Sequence, residues 1–210
     1  MAVLGRRDGP YHRAWAAADA SGARLGIRHW RADQGHSPVF DAADVVVTAD
    51  ASKTGPCLAI DTRGRMICSC VDDGAGGNAA GGYEMTSDSD GDTWGAASMS
   101  IPNARHMRVR AGKDGGLMRL ALVPDGMGHS PATYSVQTQY QAPGDPSPSA
   151  LVTLTDQAGT PISAADTPPD LDHAAAGSSP WRLCLMEAGQ ATPTEFTCTH
   201  ETAPAWQRIS

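Results

Sequence analysis

The chain has few aromatic residues, no long apolar run and no cluster of basic residues. Aromatic side chains make up 5% of the 210 residues, so small side chains carry much of the 40% that is hydrophobic. No run of about 18 apolar residues occurs, and we therefore expect no insertion into a membrane. The sixteen Lys and Arg are scattered and the net charge is −7, which argues against a nucleic-acid partner.

The first residues also lack the pattern of a secretion signal. The sequence "MAVLGRRDGPYHRAW" has no apolar segment behind its basic residues. We therefore expect a protein that is made in the cytoplasm and either stays there or leaves as part of a larger assembly.

The five cysteines are an odd number, which argues against a fully paired disulfide framework. Cys68 and Cys70 lie two residues apart in a strand-like run, so both should point to the same face of a strand. Buried thiols are the first interpretation, and a disulfide or a metal site is the alternative. Because the nearest histidine, His106, is far along the chain, we predict no metal and no other cofactor.

Turn-forming residues are abundant, with 23 Gly and 15 Pro, and they punctuate short apolar runs. Four segments share one pattern, in which two apolar runs flank a polar turn that ends in Gly. Three turns read Asp-x-x-Gly and the remaining one has a substituted start: Asp19–Gly22, Asp61–Gly64, Asp156–Gly159, and Lys113, Asp114 and Gly115. An Asp that begins a turn and a Gly that tolerates positive φ are typical of hairpins, so we predict antiparallel strand pairs.

These turns recur roughly every 40 to 50 residues, a spacing typical of propeller blades. The sequence therefore predicts an all-β fold, a propeller-like array of about four small antiparallel sheets, in a single domain covering residues 1–210. The predicted blades are residues 10–45, 55–101, 104–142 and 150–210.

The stretch "SDSDGDTW" is the most specific motif in the chain. It resembles the Asp-box (BNR) repeat of sialidase-like β-propellers, whose pattern is Ser-x-Asp-x-Gly-x-Thr-Trp. Four residues match: Ser87, Gly91, Thr93 and Trp94. Ser89 occupies the position of the family's Asp and lies between Asp88 and Asp90.

Two weaker copies support the resemblance. The segment "RADQGHSPVF" has Asp33 and Gly35 in the same register, and "THETAPAW" has Glu201 and Trp206. In the families that the chain resembles, the Asp box lies on the outer edge of a blade, away from the central site. The resemblance thus implies that these residues close hairpins, and a divalent cation held by the carboxylates is the alternative.

The same resemblance raises the question of glycoside hydrolysis. Sialidase-like enzymes resemble one another in an Arg cluster, a Tyr nucleophile with a supporting Glu, and an acid Asp. Arg108 and Arg110 should share one face of a strand, whereas the neighbours Tyr83 and Glu84 should face opposite ways. Because the complete set cannot be assembled, we favour a protein without catalytic residues. Arg108, Arg110 and Tyr83 remain candidate glycan-binding residues.

The expected function is a non-catalytic structural or carbohydrate-recognising part of a larger assembly. Stand-alone Asp-box modules resemble those of bacteriophage tail and fibre proteins, which implies a virion location. The implied partners are other copies of the chain, neighbouring virion proteins and a glycan. A sialidase-like glycoside hydrolase and a monomeric lectin-type module are the alternatives. Apolar runs at residues 44–50 and 181–187 should be covered, either by ring closure or by association of copies.

Overall fold

The computed structural model describes most of the chain, with side chains from residue 55 onward. The described residues are 2–4, 12–18, 25–31, 45–48, 53–61, 63–74, 77–88, 93–112, 115–126, 132–156, 158–173, 181–198 and 206–209. Every regular element among them is a β-strand, so the predicted all-β class is confirmed. This part of the chain contains no helix long and apolar enough to cross a bilayer.

The strands form four antiparallel sheets that follow one another along the chain. The first sheet contains β1 (Ala2–Leu4), β2 (His12–Ala18), β3 (Leu25–Arg31) and β4 (Val45–Thr48). The second contains β5 (Lys53–Ile60), β6 (Met66–Asp72), β7 (Gly81–Ser87) and β8 (Ser98–Pro102). The third contains β9 (His106–Ala111), β10 (Leu117–Pro124), β11 (Tyr134–Gln141), β12 (Val152–Thr153) and β13 (Ser163–Ala164). The fourth contains β14 (Asp170–His173), β15 (Trp181–Leu185), β16 (Thr194–Cys198) and β17 (Trp206–Arg208).

Successive sheets pack face to face, with their first strands side by side. Strand β5 lies beside both β1 and β9, and β14 lies beside β9. Sheets that fan out from neighbouring first strands have the arrangement of propeller blades. The predicted propeller-like array of about four sheets is therefore confirmed.

Two of the predicted Asp-x-x-Gly turns have the same hydrogen bonds. The Asp61 carboxylate oxygen Oδ1 accepts the backbone N–H groups of residues 63 and 65, both at 2.9 Å. The Asp156 carboxylate accepts those of residues 158 and 160 at 2.9 and 2.8 Å. Gly64 and Gly159 have φ values of 85° and 83°, which a side chain would disfavour. The proposed turn chemistry is confirmed at both sites.

The turn between β9 and β10 corrects the predicted alignment. The N–H of Gly112 donates to the carbonyl of Gly116 at 2.7 Å, just as that of Asp61 donates to Arg65 at 3.0 Å. Gly112 therefore occupies the position of the Asp, one residue before the predicted Lys113. The first predicted turn, Asp19–Gly22, lies outside the described residues, although its flanking strands β2 and β3 do pair antiparallel.

The sheet boundaries differ from the predicted blades at two places. Residues 150–164 were expected to open the fourth blade, but β12 and β13 both pair with β11 and complete the third sheet. The fourth sheet starts at Asp170. The first sheet includes Ala2–Leu4, which precedes the predicted start at residue 10.

The core is divided among the interfaces between sheets. The largest apolar cluster joins the third and fourth sheets and includes Leu120, Trp181 and Phe196. Smaller clusters join the second and third sheets through Ile67, Val109 and neighbouring residues. Apolar burial at these interfaces is the main stabilising contribution that holds the fan together.

The outer face of the fourth sheet is polar. Trp181, Leu183 and Leu185 point toward the third sheet and are buried, whereas Arg182 between them is exposed. The expectation that run 181–187 is covered is therefore confirmed, but the third sheet provides the cover, so neither ring closure nor association of copies is needed for it. For run 44–50 only the backbone of β4 is described.

Candidate functional site

The Asp-box-like stretch connects the third and fourth strands of the second sheet. Ser87 ends β7 and is buried, Asp88 and Thr93 are exposed, and Trp94 is half-buried. The Trp94 ring packs against a cluster of Leu58, Met66, Cys68, Cys70, Tyr83 and Met85. The N–H of Gly95 donates to the Thr86 carbonyl at 2.8 Å and closes the connection. Asp90 and Gly91 lie outside the described residues.

The two weaker copies lie in the equivalent connection of other sheets. Asp33 and Gly35 fall between β3 and β4, and Glu201 falls between β16 and β17. These three residues lie outside the described part of the chain. Trp206 begins β17, packs against the core of the third and fourth sheets, and donates from Nε1 to Thr138 Oγ1 at 3.3 Å.

The structure does not bring the three candidate glycan-binding residues together. Arg108 and Arg110 lie on the face of β9 toward the fourth sheet, where Arg110 Nε donates to the Leu171 carbonyl at 2.9 Å. Tyr83 is buried on the opposite side of the second sheet, and its hydroxyl donates to the Ala79 carbonyl at 2.7 Å. Tyr83 and the arginines therefore lie on opposite sides of the packed second and third sheets.

Glu84 faces the other way from Tyr83, as predicted, and forms a buried ion pair with Arg119. Arg119 Nε donates to Glu84 Oε1 at 2.6 Å and Nη2 donates to Oε2 at 2.9 Å. The two side chains are only 10% and 7% exposed. Gln141 accepts a further hydrogen bond from Arg119 at 3.0 Å. This pair connects the second sheet to the third and holds Glu84 away from solvent.

All five cysteines are free thiols. Cys68 and Cys70 face the same apolar cluster, which confirms their predicted placement on one face. Burial, followed by the nearby thiols and Glu84, raises the pKa of Cys68 well above its usual value. A protonated, buried thiol is a poor nucleophile and a poor metal ligand.

A cluster of four polar side chains forms at the end of the third sheet where β9 and β11 begin. His106 opens β9, Tyr134 opens β11, Arg105 precedes β9, and Asp166 follows β13. His106 Nε2 lies 2.8 Å from Asp166 Oδ1, and Arg105 Nε lies 4.0 Å from the same oxygen. The Tyr134 hydroxyl is also hydrogen-bonded to Asp166. We call these four residues the end-face cluster.

The electrostatics of the end-face cluster favour a protonated phenol. Burial, then the negative charge of Asp166 and the hydrogen bond to it, raise the pKa of Tyr134, while Arg105 acts in the opposite direction. Tyr134 therefore stays a hydrogen-bond donor at neutral pH. Asp166 and Arg105 are about half exposed, at 47% and 54%, so a ligand can reach them.

The sequence alone does not predict the end-face cluster. Asp166 is 60 residues from His106 along the chain, and no motif links the two. Strands β13 and β9 lie at opposite edges of the third sheet, and the segment after β13, which leads to β14 beside β9, places Asp166 next to His106. In the described residues no three His, Cys, Asp or Glu side chains form a group that could hold a metal ion.

Comparisons with known proteins show the fold. No protein-family model and no curated protein sequence matches the chain. Among solved structures, a protein of unknown function from Dyadobacter fermentans shares 15% identity over 99% of this chain and 67% of its own, with a TM-score of 0.60. The α-L-arabinanase of Penicillium chrysogenum in complex with arabinobiose shares 14% identity over 99% of this chain, with a TM-score of 0.57. A Hadza microbial sialidase shares 12% identity over 99% of this chain, with a TM-score of 0.63.

These likenesses show that the chain has a sialidase-like β-propeller fold. The chain spans 61% of the arabinanase and 45% of the sialidase. At such low identity the likeness extends to the fold and not to the activity.

Proposed function

We propose that the protein is a non-catalytic carbohydrate-recognising module that contacts its glycan at the end-face cluster. Arg, His, Tyr and Asp side chains offer donors and acceptors suited to sugar hydroxyl groups. The solved structures with the same fold include an arabinanase bound to arabinobiose and a sialidase, both of which act on glycans. The observation that carries the proposal is the convergence of three polar side chains, those of Arg105, His106 and Tyr134, on the accessible carboxylate of Asp166.

Recognition fits the end-face cluster better than hydrolysis. Most glycosidases need two carboxyl groups that flank the scissile bond. Among the described residues the cluster contains one carboxylate, Asp166, and Glu84 is held in its buried pair with Arg119. A Tyr nucleophile would need an accessible phenolate, whereas the pKa of Tyr134 is raised. A sialidase-like glycoside hydrolase is the second candidate, supported by the fold alone.

We also propose that residues 87–94 form an Asp box with a structural role. The packing of Trp94 on an apolar cluster and the bond from Gly95 to Thr86 support this interpretation. The weaker sequence matches, at Asp33 and Glu201, fall in the same third-to-fourth-strand connection of the first and fourth sheets. A recurrence at equivalent places favours a repeated structural unit.

A place in a bacteriophage virion, and association with other copies, remain predictions from the sequence. The virion location rests on the resemblance of the Asp-box stretch to tail and fibre modules. The association rests on the small number of blades, because a fan of sheets that does not close would leave strand edges exposed.

Titration calorimetry with arabinobiose and with 3′-sialyllactose tests the recognition proposal. Binding of either sugar should weaken about tenfold or more in Arg105→Ala and His106→Ala, because each loses a charged or polar contact. Arg182→Ala, on the outer face of the fourth sheet, is the matched control and should bind as the parent does. Absence of binding to both sugars, or equal binding by all three variants, would contradict the proposal.

A further inference from the structure

A cleft of about 210 Å³ opens at the opposite end of the second and third sheets from the end-face cluster. Its walls are the β5–β6 turn, the β9–β10 turn and the loop after β11. Strand β9, six residues long, separates the two ends by roughly 20 Å. A cleft of this volume suits a small ligand.

Two arginines from the β5–β6 turn line the cleft, and they are held differently. Arg65 Nε donates to Asp61 Oδ2 at 3.2 Å, so the Asp61 carboxylate neutralises Arg65 and also fixes its orientation. Both oxygens of Asp61 are occupied, since Oδ1 accepts two backbone N–H groups of the turn. Asp61 is therefore not available to neutralise Arg63.

Arg63, in contrast, has no side-chain partner among the described residues that line this cleft. Its side chain is exposed, and within that part of the chain its guanidinium group makes no hydrogen bond or ion pair. Nη2 of Arg63 lies over Gly144, 3.1 Å from where a Cβ atom on that glycine would be. Because Gly144 has no side chain, the guanidinium group reaches across the mouth of the cleft.

Gln141 lies at the floor of the cleft, and two hydrogen bonds hold its amide group. Gln141 Oε1 accepts from Arg119 Nη2 at 3.0 Å, and Gln141 Nε2 donates to the Asp145 carbonyl at 2.7 Å. These two bonds fix the amide and connect the floor to the buried Glu84–Arg119 pair. A preformed floor lowers the entropic cost of ordering the site around a ligand.

We propose that this cleft binds a small carboxylate, with Arg63 as the principal contact and Arg65 as a second donor. A guanidinium group matches the planar geometry of a carboxylate, and charge-assisted hydrogen bonds are about twice as strong as neutral ones. Asp145 also lines the cleft and is exposed, and its negative charge repels such a ligand, which limits the ligand's affinity. The carboxylate can belong to a sugar acid or to a free organic acid. The inference does not rest on the proposed glycan contact at the end-face cluster.

Calorimetry and amide NMR shifts with glucuronate, glucose and acetate test the proposal. Glucuronate and glucose differ mainly in the carboxylate, so glucuronate should bind and shift the amides of residues 63, 65 and 144, and glucose should not. Acetate that binds as tightly as glucuronate would identify a free acid as the ligand, and weaker acetate would identify a sugar acid; both agree with the proposal.

Two variants separate carboxylate binding from binding of a neutral ligand. Arg63→Ala should weaken glucuronate binding about tenfold, because the charge-assisted contact is lost. Asp145→Asn should strengthen it about twofold to fivefold, because a repulsive surface charge is removed. Arg105→Ala at the other end and Arg182→Ala should leave it unchanged, so this result is distinguishable from that of the glycan proposal. Equal binding of glucose and glucuronate, no binding of either acid, or weaker binding in Asp145→Asn would overturn the proposal.

Discussion

The buried pair of Glu84 and Arg119 connects two sheets through single side chains. Each residue satisfies the charge of the other at the interface between the second and third sheets, and Gln141 binds the same guanidinium group. A buried charge that loses its partner is strongly destabilising, although a buried pair is not by itself more stable than an apolar contact. The pair therefore favours the one alignment of the two sheets in which Glu84 and Arg119 meet.

Replacing one member of this pair should destabilise the protein more than replacing both. Glu84→Leu leaves Arg119 buried without its counter-charge and should lower the free energy of unfolding by about 3 to 5 kcal/mol. The double variant Glu84→Leu with Arg119→Met should lower it by clearly less. Urea denaturation of the parent, single and double variants measures both values. A double variant as unstable as the sum of its two single variants would contradict this account.

Tyr134 should make stability fall at alkaline pH. Its pKa in the folded protein is raised above the usual value of 10.0, so the protonated phenol stabilises the fold. This contribution is fully present below about pH 10 and is lost as the pH rises through the raised pKa. Tyr134→Phe cannot ionise, so its free energy of unfolding should fall less steeply above that pH. Identical slopes in the two proteins, measured by urea denaturation at several pH values, would contradict the environment described for Tyr134.

The hairpin turns show which elements sequence reasoning can find. Asp61 and Asp156 act through bonds to N–H groups two and four residues ahead, so all the information lies within a five-residue window. The turn at Gly112 lacks the carboxylate, so the sequence places its first residue at Lys113, one residue too late. The spacing of the turns was also measured between turns that are not equivalent. The Asp19 turn joins the second and third strands of its sheet, β2 and β3, whereas the Asp61 turn joins the first and second strands of its sheet, β5 and β6. This is one reason why the four-sheet architecture was predicted correctly but the limits of the third and fourth sheets were not.

The two Asp turns should differ in their contribution to stability. Asp61 is buried and also binds the Arg65 side chain, whereas Asp156 is exposed. Asp61→Ala removes a buried carboxylate that binds two backbone N–H groups and the Arg65 side chain, so it should lower the free energy of unfolding by about 2 kcal/mol. Asp156→Ala should lower it by about 1 kcal/mol or less. Thermal unfolding of the two variants compares them directly. A larger loss in Asp156→Ala would show that burial does not determine the effect.

At the scale of the whole molecule, two features depend on contacts between residues that are far apart in the sequence. The third sheet brings His106 and Asp166 together across 60 residues, and it covers the apolar side of β15. Neither relationship leaves a local pattern. The alternation of buried and exposed residues in "WRLCL" was readable in the sequence, but its polar side was not recognised as an outer face.

Association of copies remains a prediction at this scale, and the fourth sheet restricts how it can occur. The outer face of that sheet exposes Arg182 and Glu195 rather than apolar side chains, so it is a poor surface for a stable dimer or trimer. We expect copies to associate through another surface. Light scattering at micromolar concentration should give a multiple of 21.8 kDa. A mass equal to that of one chain, unchanged on concentration, would contradict self-association.

The central claim is that a sialidase-like propeller fold recognises a glycan at the end-face cluster without cleaving it. One NMR experiment on isotope-labelled protein with arabinobiose, and in parallel with 3′-sialyllactose, follows the protein amides and the sugar signals in the same sample. We predict that one of the sugars shifts the amides of Arg105, His106 and Asp166 and that its own signals stay unchanged over a day. New signals of a cleaved sugar, or shifts that avoid these three residues with both sugars, would contradict the claim.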